Sequence, residues 1–563
     1  MSSASRAGGR AERYAIGVDF GTLSGRAVLV RVSDGAEVAS AVSEYSNAVI
    51  DERLPESNVA LDVDWALQDP DDYIRVFAQT IPAVLKQSGV SAEQVIGLGI
   101  DFTACTMMPT LKDGTPLCKL PQFRANPHAW IKLWKHHAAQ PEADKVNRVA
   151  AEMGETWLPR YGGKISSEWF FPKALQILDE APEIYAAADR MLEAADWVNW
   201  QLTGVEARNT CTAGYKAIWS KRDGYPNKAY LRALDPRLEN FVETKLDAPL
   251  IAIGSKQGNL TPQMAQLMGL HSGVAVAVAN VDAHVSVPAC SVTQEGVWVS
   301  VMGTSSCDLL LSKREAMIEG MCGYVEDGIL QGYFGYEAGQ SCVGDGFGWF
   351  VDNCVPPRYF DEAKQQGISV HQVLANYAGA QRPGENGLLA LDWWNGNRSI
   401  LVDANLSAVY LGMTLATQAH DMYRASLEAT AFGKRTIVEG FTNAGVAVNE
   451  MIACGGLPER NKLFMQIHAD VLGMPIKVSA SSQTPALGSA MFGAVVAGAA
   501  NGGYDSIEEA AKHMAHLKDE VFTPNLENKK IYDQIYIEYI RLHDYFGRDA
   551  NSTIKKLRQM RGH

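Results

Sequence analysis

Two short glycine-threonine turns in distant parts of the chain constrain its fold most strongly. The first lies in V-D-F-G-T at residues 18–22, and V-M-G-T-S at residues 301–305 repeats the pattern. In each case an apolar, alternating run precedes the turn and a second apolar run follows it, at residues 26–32 and 307–311. This order predicts a tight β-hairpin. Two such hairpins indicate a duplicated domain with a nucleotide between the copies.

The chemistry of the turns favours phosphate binding. Glycine lets the backbone approach a phosphate closely, so that N–H groups can face its oxygens. The hydroxyls of Thr22 and Thr304 add donors, and Asp19 is suited to hold Mg²⁺ through water. Two ordinary hairpin turns are the alternative, because Gly and Thr are common in turns. The pairing of both turns with Asp19 favours the phosphate site.

Length and charge narrow the class of protein. The 563 residues exceed the roughly 250–300 that one core accommodates, so two large domains are expected. The formal charge of −14 and the pI near 5.4 argue against a general binder of nucleic acid or anionic membranes. A phosphate site must therefore be built locally, from oriented amides, a few cations and a metal.

Cysteine usage and hydropathy predict a cytoplasmic protein. The nine cysteines are scattered without a C-x-x-C pair, which is typical of reduced thiols. The apolar runs are short and interrupted, so no membrane span is predicted. Residues 1–13 are small and polar without an apolar core, so we expect a disordered extension and not a signal peptide.

Asp282 is the best candidate for the chemistry. It follows the Val/Ala-rich run at residues 273–281, predicted to be a strand buried on both faces. A carboxylate in that position can accept a proton from an attacking hydroxyl. The alternative is that Asp282 caps a short helix over residues 283–289. Lys216 and Glu337 are further pocket candidates, although single Lys and Glu residues are usually solvated surface groups.

Residues 124–220 are rich in tryptophan and tyrosine and have poor periodicity. We interpret them as helices and loops inserted into the first domain. Aromatic faces beside polar groups suit a sugar pocket. Simple packing of the insertion is the alternative for any one of these tryptophans.

Four stretches carry a resemblance to a known family. D-F-G-T-L-S-G-R at residues 19–26 resembles the D-x-G-T-x-S-x-R opening of the FGGY carbohydrate kinases. A-V-Y-L-G-M at 408–413, with the residues that follow to 428, matches that family's C-terminal signature. G-G at 455–456 resembles its adenosine motif, and A-L-G-S-A at 486–490 its closing helix. The resemblance covers about residues 14–545.

The resemblance implies an α/β fold with two ribonuclease H-like domains of the actin/Hsp70 ATPase type and an active-site cleft between them. The N-terminal domain, with its sugar-binding insertion, would span residues 14–290. The C-terminal domain, which binds ATP, would span residues 291–545, and a tail would occupy residues 546–563.

The resemblance also implies the site residues. Asp19 would organise Mg²⁺, and ATP would contact Gly21, Thr22, Arg26, Gly303, Thr304, Gly455 and Gly456. Several stretches, including L-W-K-H-H at 133–137 and E-A-G-Q-S at 337–341, most resemble family members that act on L-ribulose. In those members the sugar site corresponds to Ala104, Lys216, Asp282 and Glu337, with Asp282 as the general base.

The expected activity is ATP- and Mg²⁺-dependent phosphorylation of L-ribulose to L-ribulose 5-phosphate in arabinose breakdown, by a homodimer. Many family members have W-x-D-x-R where this chain has W-K-H-H-A at residues 134–138, which argues against glycerol and xylulose as substrates. A D-ribulose or ribitol kinase is one alternative. A non-catalytic nucleotide switch of the actin/Hsp70 type is the other.

Overall fold

The computed structural model describes residues 12–548 and 550–560. The expected extension over residues 1–13 lies outside the described residues except for its last two. Of these, Arg13 accepts a hydrogen bond from the Val32 amide through its carbonyl oxygen, at 2.9 Å.

The first sheet is built around the first hairpin. Tyr14–Phe20 pairs antiparallel with Ser24–Arg31 on one side and parallel with Val95–Phe102 on the other. The strand order across the sheet is Lys256–Asn259, Ala275–Ala277, Val95–Phe102, Tyr14–Phe20, Ser24–Arg31 and Glu37–Glu44, and Asn280–Val281 also pairs with Val95–Phe102.

The second sheet repeats this topology around the second hairpin. Val297–Met302 pairs antiparallel with Ser306–Ser312 and parallel with Glu450–Cys454. The strand order is Gly323–Glu326, Phe334–Gln340, Ser306–Ser312, Val297–Met302, Glu450–Cys454, Ile476–Ser479 and Leu517–Phe522. Both sheets combine such a hairpin with two parallel strands and an antiparallel edge strand, and the second sheet adds Gly323–Glu326 at its other edge. This repeated topology confirms the predicted duplication.

Three small sheets and the helices surround these two sheets. The small sheets comprise Leu67–Gln68, Ile131–Lys132, Met107–Thr110 and Arg190–Glu193; Arg208–Asn209 and Leu250–Ile251; and Leu389–Leu391 and Val409–Leu411. The α-helices before residue 290 are Pro70–Ser88, Gln140–Met153, Phe170–Glu180, Pro182–Ala187, Ala194–Thr203, Thr210–Lys216, Lys228–Leu234, Phe241–Lys245, Pro262–Met268 and Asp282–Ala289. Those after it are Gly344–Cys354, Pro357–Gln366, Val370–Gly379, Ala419–Asn443, Gly456–Arg460, Lys462–Leu472, Thr484–Ala497, Ile507–Met514, Leu526–Gly547 and Thr553–Met560.

The structure corrects the strand predicted over residues 273–281. It contains two short strands, Ala275–Ala277 and Asn280–Val281, in place of one continuous strand. Between them the register with strand Val95–Phe102 shifts by one residue, from Val276 opposite Leu98 to Asn280 opposite Asp101. Hydrophobicity alone did not reveal this break.

Helix Thr484–Ala497, which we call the interface helix, joins the two halves of the chain. It comes from the second half but packs on strands Tyr14–Phe20 and Val95–Phe102 of the first sheet. A Cβ atom added at Gly97 or Gly99 would lie 1.9 or 2.1 Å from a carbonyl oxygen of this helix. The helix backbone therefore lies directly on the sheet backbone, and only glycine fits at these positions.

Within the described residues, no helix is both long and apolar enough to cross a membrane. All nine cysteines lie in the described part of the chain and are free thiols.

We predict that Gly99→Ala lowers the free energy of unfolding by about 2 kcal/mol or more, because the added methyl group would overlap the interface helix. Gly348→Ala is the matched control. Gly348 lies in a helix, and a Cβ atom added there would meet no atom of the described residues within 4 Å beyond its own helix backbone and chain neighbours. Thermal and denaturant unfolding would measure both variants. Equal stability of the two would contradict the close contact.

Candidate active site

In both glycine turns the glycine amide donates a hydrogen bond within the turn, to the third residue along in the first turn and to the second residue along in the other. In the first, the Gly21 amide donates to the Ser24 carbonyl oxygen at 3.0 Å, and in the second the Gly303 amide donates to the Ser305 carbonyl oxygen at 2.9 Å. Each glycine amide therefore holds its own turn closed. The donors left for a ligand are those of the residues that follow, above all the threonines.

Side chains from elsewhere hold Thr22 in place. The indole N–H of Trp134 donates to Thr22 Oγ1 at 3.0 Å, and the Gln68 amide group donates to the Thr22 carbonyl oxygen at 2.8 Å. Because Thr22 Oγ1 accepts the hydrogen bond from the indole, the hydroxyl hydrogen of Thr22 can be donated to another group. The insertion thus contributes directly to the first turn.

The predicted ATP residues of the second half lie together. Gly455 precedes helix Gly456–Arg460 with φ of 94°, a left-handed conformation that favours glycine. A Cβ atom on Gly455 would lie 2.4 Å from the carbonyl oxygen of Met302, which leads into the second turn. The Gly-Gly turn and the second hairpin are therefore in direct contact.

Asp19 and Asp101 end adjacent parallel strands and are direct neighbours in the ladder. Arg26 faces Asp19 from the opposite strand of the hairpin. Burial, and then the charge of Asp19, raise the pKa of Asp101 well above its ordinary value, and burial raises the pKa of Asp19. Asp101 Oδ2 accepts a hydrogen bond from Ser489 of the interface helix at 2.6 Å.

This pair of carboxylates fits Mg²⁺. Asp101 Oδ1 is buried and has no hydrogen-bond partner among the described residues. Carboxylate oxygens are ligands that Mg²⁺ prefers, and it commonly uses one or two of them with water and nucleotide phosphates. The described residues contain no group of three or more His, Cys, Asp or Glu side chains able to hold a metal ion.

Asp282 is the first residue of helix Asp282–Ala289, directly after the strand that pairs with Phe102. The residue in the capping position is Val281, and Asp282 Oδ1 accepts only from the adjacent Ala283 amide, at 2.6 Å. The capping interpretation is therefore wrong. Burial, and then the charge of Asp19, raise the pKa of Asp282 to about 7.

Lys216 and Glu337 form a buried ion pair between the two halves of the chain. Lys216 ends helix Thr210–Lys216, Glu337 lies in the second sheet, and Nζ is 3.0 Å from Oε1. His284 Nε2 lies 3.0 Å from the other carboxylate oxygen of Glu337. The side chains of Lys216 and Glu337 are 8% and 12% exposed, so the interpretation as solvated surface groups is wrong.

The charges in this cluster compensate one another. Burial alone would raise the pKa of Glu337, but the Lys216 ammonium and the His284 ring lower it below its ordinary range. Burial lowers the pKa of His284, which favours the neutral ring. The cluster therefore presents an ammonium, a carboxylate and an imidazole without a large net charge.

Ala104 lies in the turn after strand Val95–Phe102. The next residue, Cys105, has φ of 62°, and its carbonyl oxygen accepts from the Lys173 ammonium at 2.6 Å. Trp169 of the insertion lies against Lys216, with the ring centroid 5.4 Å from Nζ. One tryptophan of the insertion thus contacts this cluster, whereas Trp157 and Trp130 pack in the core of the insertion.

Sequence reasoning missed Asp101 and His284. Asp101 carries a signal that was available, because it follows the apolar run at residues 95–100 and leads into a polar turn. His284 lies two residues after Asp282 but showed no motif of its own. Its role depends on Glu337, which is distant in the chain and becomes its partner only in the folded structure.

Comparisons with known proteins agree with this architecture. A xylulose kinase structure from Lactobacillus acidophilus matches with a TM-score of 0.79, covering 97% of this chain and all of that one. At 16% identity this likeness shows the fold alone.

Sequence comparisons find relatives of much higher identity than this structural match. A ribulokinase from Halalkalibacterium halodurans is 57% identical over 549 residues, 98% of each chain. A ribulokinase from Geobacillus thermodenitrificans is 58% identical over 547 residues, 97% of each chain. Residues 14–287 match the N-terminal domain of the FGGY family of carbohydrate kinases, and residues 298–497 match its C-terminal domain. The chain belongs to the FGGY family of carbohydrate kinases.

Proposed function

We propose that this protein transfers the γ-phosphoryl group of ATP to the terminal hydroxyl of L-ribulose and forms L-ribulose 5-phosphate and ADP, a step in arabinose breakdown. The full-length identity to proteins named ribulokinase supports this substrate. The position of Asp282 carries the chemistry, since its pKa responds to both Asp19 of the first sheet and Glu337 of the second.

The sugar would bind at the Lys216–Glu337 pair, beside the backbone of Ala104. An ammonium donates to sugar oxygens and a carboxylate accepts from two hydroxyls. His284, whose ring nitrogens lie against Glu337 and Cys211, would hold the carboxylate in place. These groups are buried, so a sugar without the matching hydroxyls would leave their remaining donor and acceptor sites unpaired. Such unpaired groups discriminate strongly between substrates.

ATP would lie across the two turns. We place its phosphates at Gly303 and Thr304 and its adenine near Gly455 and Gly456. Gly21, Thr22 and Arg26 would face the γ-phosphoryl group. Mg²⁺, held by Asp19 with Asp101 beside it, would neutralise charge on the phosphates.

Asp282 would act as the general base. The terminal hydroxyl oxygen of the sugar bonds to the γ-phosphorus, the bond from that phosphorus to the β–γ bridging oxygen breaks, and the hydroxyl proton passes to Asp282. The two halves of the protein contribute mainly by positioning the reactants. A homodimer in the cytoplasm is part of this proposal.

The alternatives explain the site less well. A nucleotide switch has no need of a buried ammonium–carboxylate pair beside a carboxylate base. A D-ribulose or ribitol kinase would use the same residues, and only the choice of sugar separates it from the proposal.

ADP release with Mg-ATP would test the function on no sugar, L-ribulose, D-ribulose, D-xylulose, ribitol and glycerol. We expect strong stimulation by L-ribulose, weaker stimulation by D-ribulose and ribitol, and none by glycerol. Equal release with every addition, including no sugar, would support the nucleotide switch. Sugar binding without any ADP release would indicate a regulator that has lost the chemistry.

Asp282→Asn is expected to lower kcat by about 10²–10⁴-fold, the usual contribution of a general base. The amide keeps the size of the side chain but cannot take the proton. Calorimetric titration with L-ribulose should still show binding. Turnover close to that of the unsubstituted protein would remove Asp282 from the role of base.

The raised pKa of Asp282 predicts an acid limb in the pH profile. Because the base must be unprotonated, kcat/KM for the sugar should fall as the pH drops below about 7. The residual activity of Asp282→Asn should not show this limb. If Asp282→Asn shows the same fall in kcat/KM at the same pH, the titration of another group causes it.

A further inference from the structure

A fully buried polar cluster lies directly behind the second hairpin. The ammonium of Lys434, on helix Ala419–Asn443, is 2.5 Å from Asp308 Oδ2, and neither side chain has any exposed surface. The same ammonium is 2.5 Å from Ser306 Oγ and 3.1 Å from Ser300 Oγ. One cation is thus bonded to both strands of the hairpin.

The cluster lies at the base of the glycine turn. Ser300 pairs with Asp308 across the ladder, and the next pair on that face is Met302 with Ser306. Only residues 303–305 lie beyond it. Because side chains alternate along a strand, these groups occupy the face opposite Val299 and Leu309, which pack with the helix that carries Asp282.

Packing alone does not explain a charged pair here. Replacing a buried ion pair by apolar residues of similar size is often neutral or stabilising, because burial removes both charges from water. The surrounding helix and strand residues, such as Leu310 and Phe432, are large and apolar, and the indole N–H of Trp298 donates to Asp308 Oδ1 at 3.2 Å. What the pair adds is a set of directional bonds that fixes the two strands relative to each other and to the helix.

We propose that Lys434 and Asp308 are positioning residues for the phosphate-binding turn, holding residues 303–305 in the geometry that ATP requires. This inference rests on the proposed placement of the ATP phosphates at Gly303 and Thr304. The turn is held from its other side as well, since the amides of Val343 and Gly344 donate to the carbonyl oxygens of Thr304 and Gly303, at 2.8 and 3.0 Å. Small displacements of groups that position reactants lower the reaction rate strongly.

The main test is the double variant Lys434→Met/Asp308→Leu, which removes both charges at once and leaves no unpaired ion. We expect the KM for ATP to rise about tenfold and kcat to fall, with the KM for L-ribulose within about twofold. Hydrogen exchange should become faster at the amides of residues 303–306. A merely structural role would not produce this selective change.

The matched control is Arg424→Met/Glu428→Leu on the same helix. That ion pair is also buried, at 4% and 3% exposure, but it bonds to Tyr532 and not to the hairpin. It should leave the KM for ATP and the exchange of residues 303–306 unchanged. An equal rise in the KM for ATP in both double variants would overturn the inference.

Two single variants complete the design. Ser306→Ala removes one hydroxyl from the cluster with little risk to folding, and should raise the KM for ATP about threefold. Thr304→Ala tests the proposed placement of the ATP phosphates. If this variant has an unchanged KM for ATP, the phosphates do not bind at Thr304. If Thr304→Ala raises that KM while Ser306→Ala and the Lys434/Asp308 variant do not, the placement stands and the positioning role is wrong.

Discussion

The contact between the interface helix and the first sheet is the constraint on which the rest of the structure depends. Gly97 and Gly99 have no side chains to separate the strand from the helix, so the two backbones touch. Because the helix belongs to the second half of the chain, this contact brings the second half against the first. The bond from Ser489 to Asp101 and the ion pair between Lys216 and Glu337 both cross between the halves.

Charge is organised locally in this acidic protein. Burial raises the pKa of Asp19, Asp101 and Asp282, and the charge of Asp19 raises the pKa of the other two further, which creates a place for a cation. A short distance away, Lys216 and Glu337 compensate each other. Under the proposed function, the first of these sites would attract Mg-ATP, and the second would offer balanced donors and acceptors to a neutral sugar.

Many local elements could be predicted because their signals are local. Asp69, Pro70 and Gly89 specify the ends of helix Pro70–Ser88, with Asp69 as the N-cap and Gly89 in a left-handed conformation. Apolar residues at helical spacing, without a proline, predict a long helix over most of residues 407–440, but the helix begins only at residue 419. The apolar residues Leu411 and Leu415, which suggested helical spacing, are exposed, at 42% and 107%, and so do not mark a core face.

The sequence by itself determined the two glycine-threonine hairpins, the duplication, and the family with its carboxylate at Asp282, since each depends on residues adjacent in the chain. Only the tertiary structure decided that His284 and Lys216 share the Glu337 carboxylate, that Asp101 lies beside Asp19, and that Lys434 lies behind the second turn. These contacts join residues far apart in the chain. Their geometry follows from packing two sheets and a glycine-seated helix together, which no local pattern records.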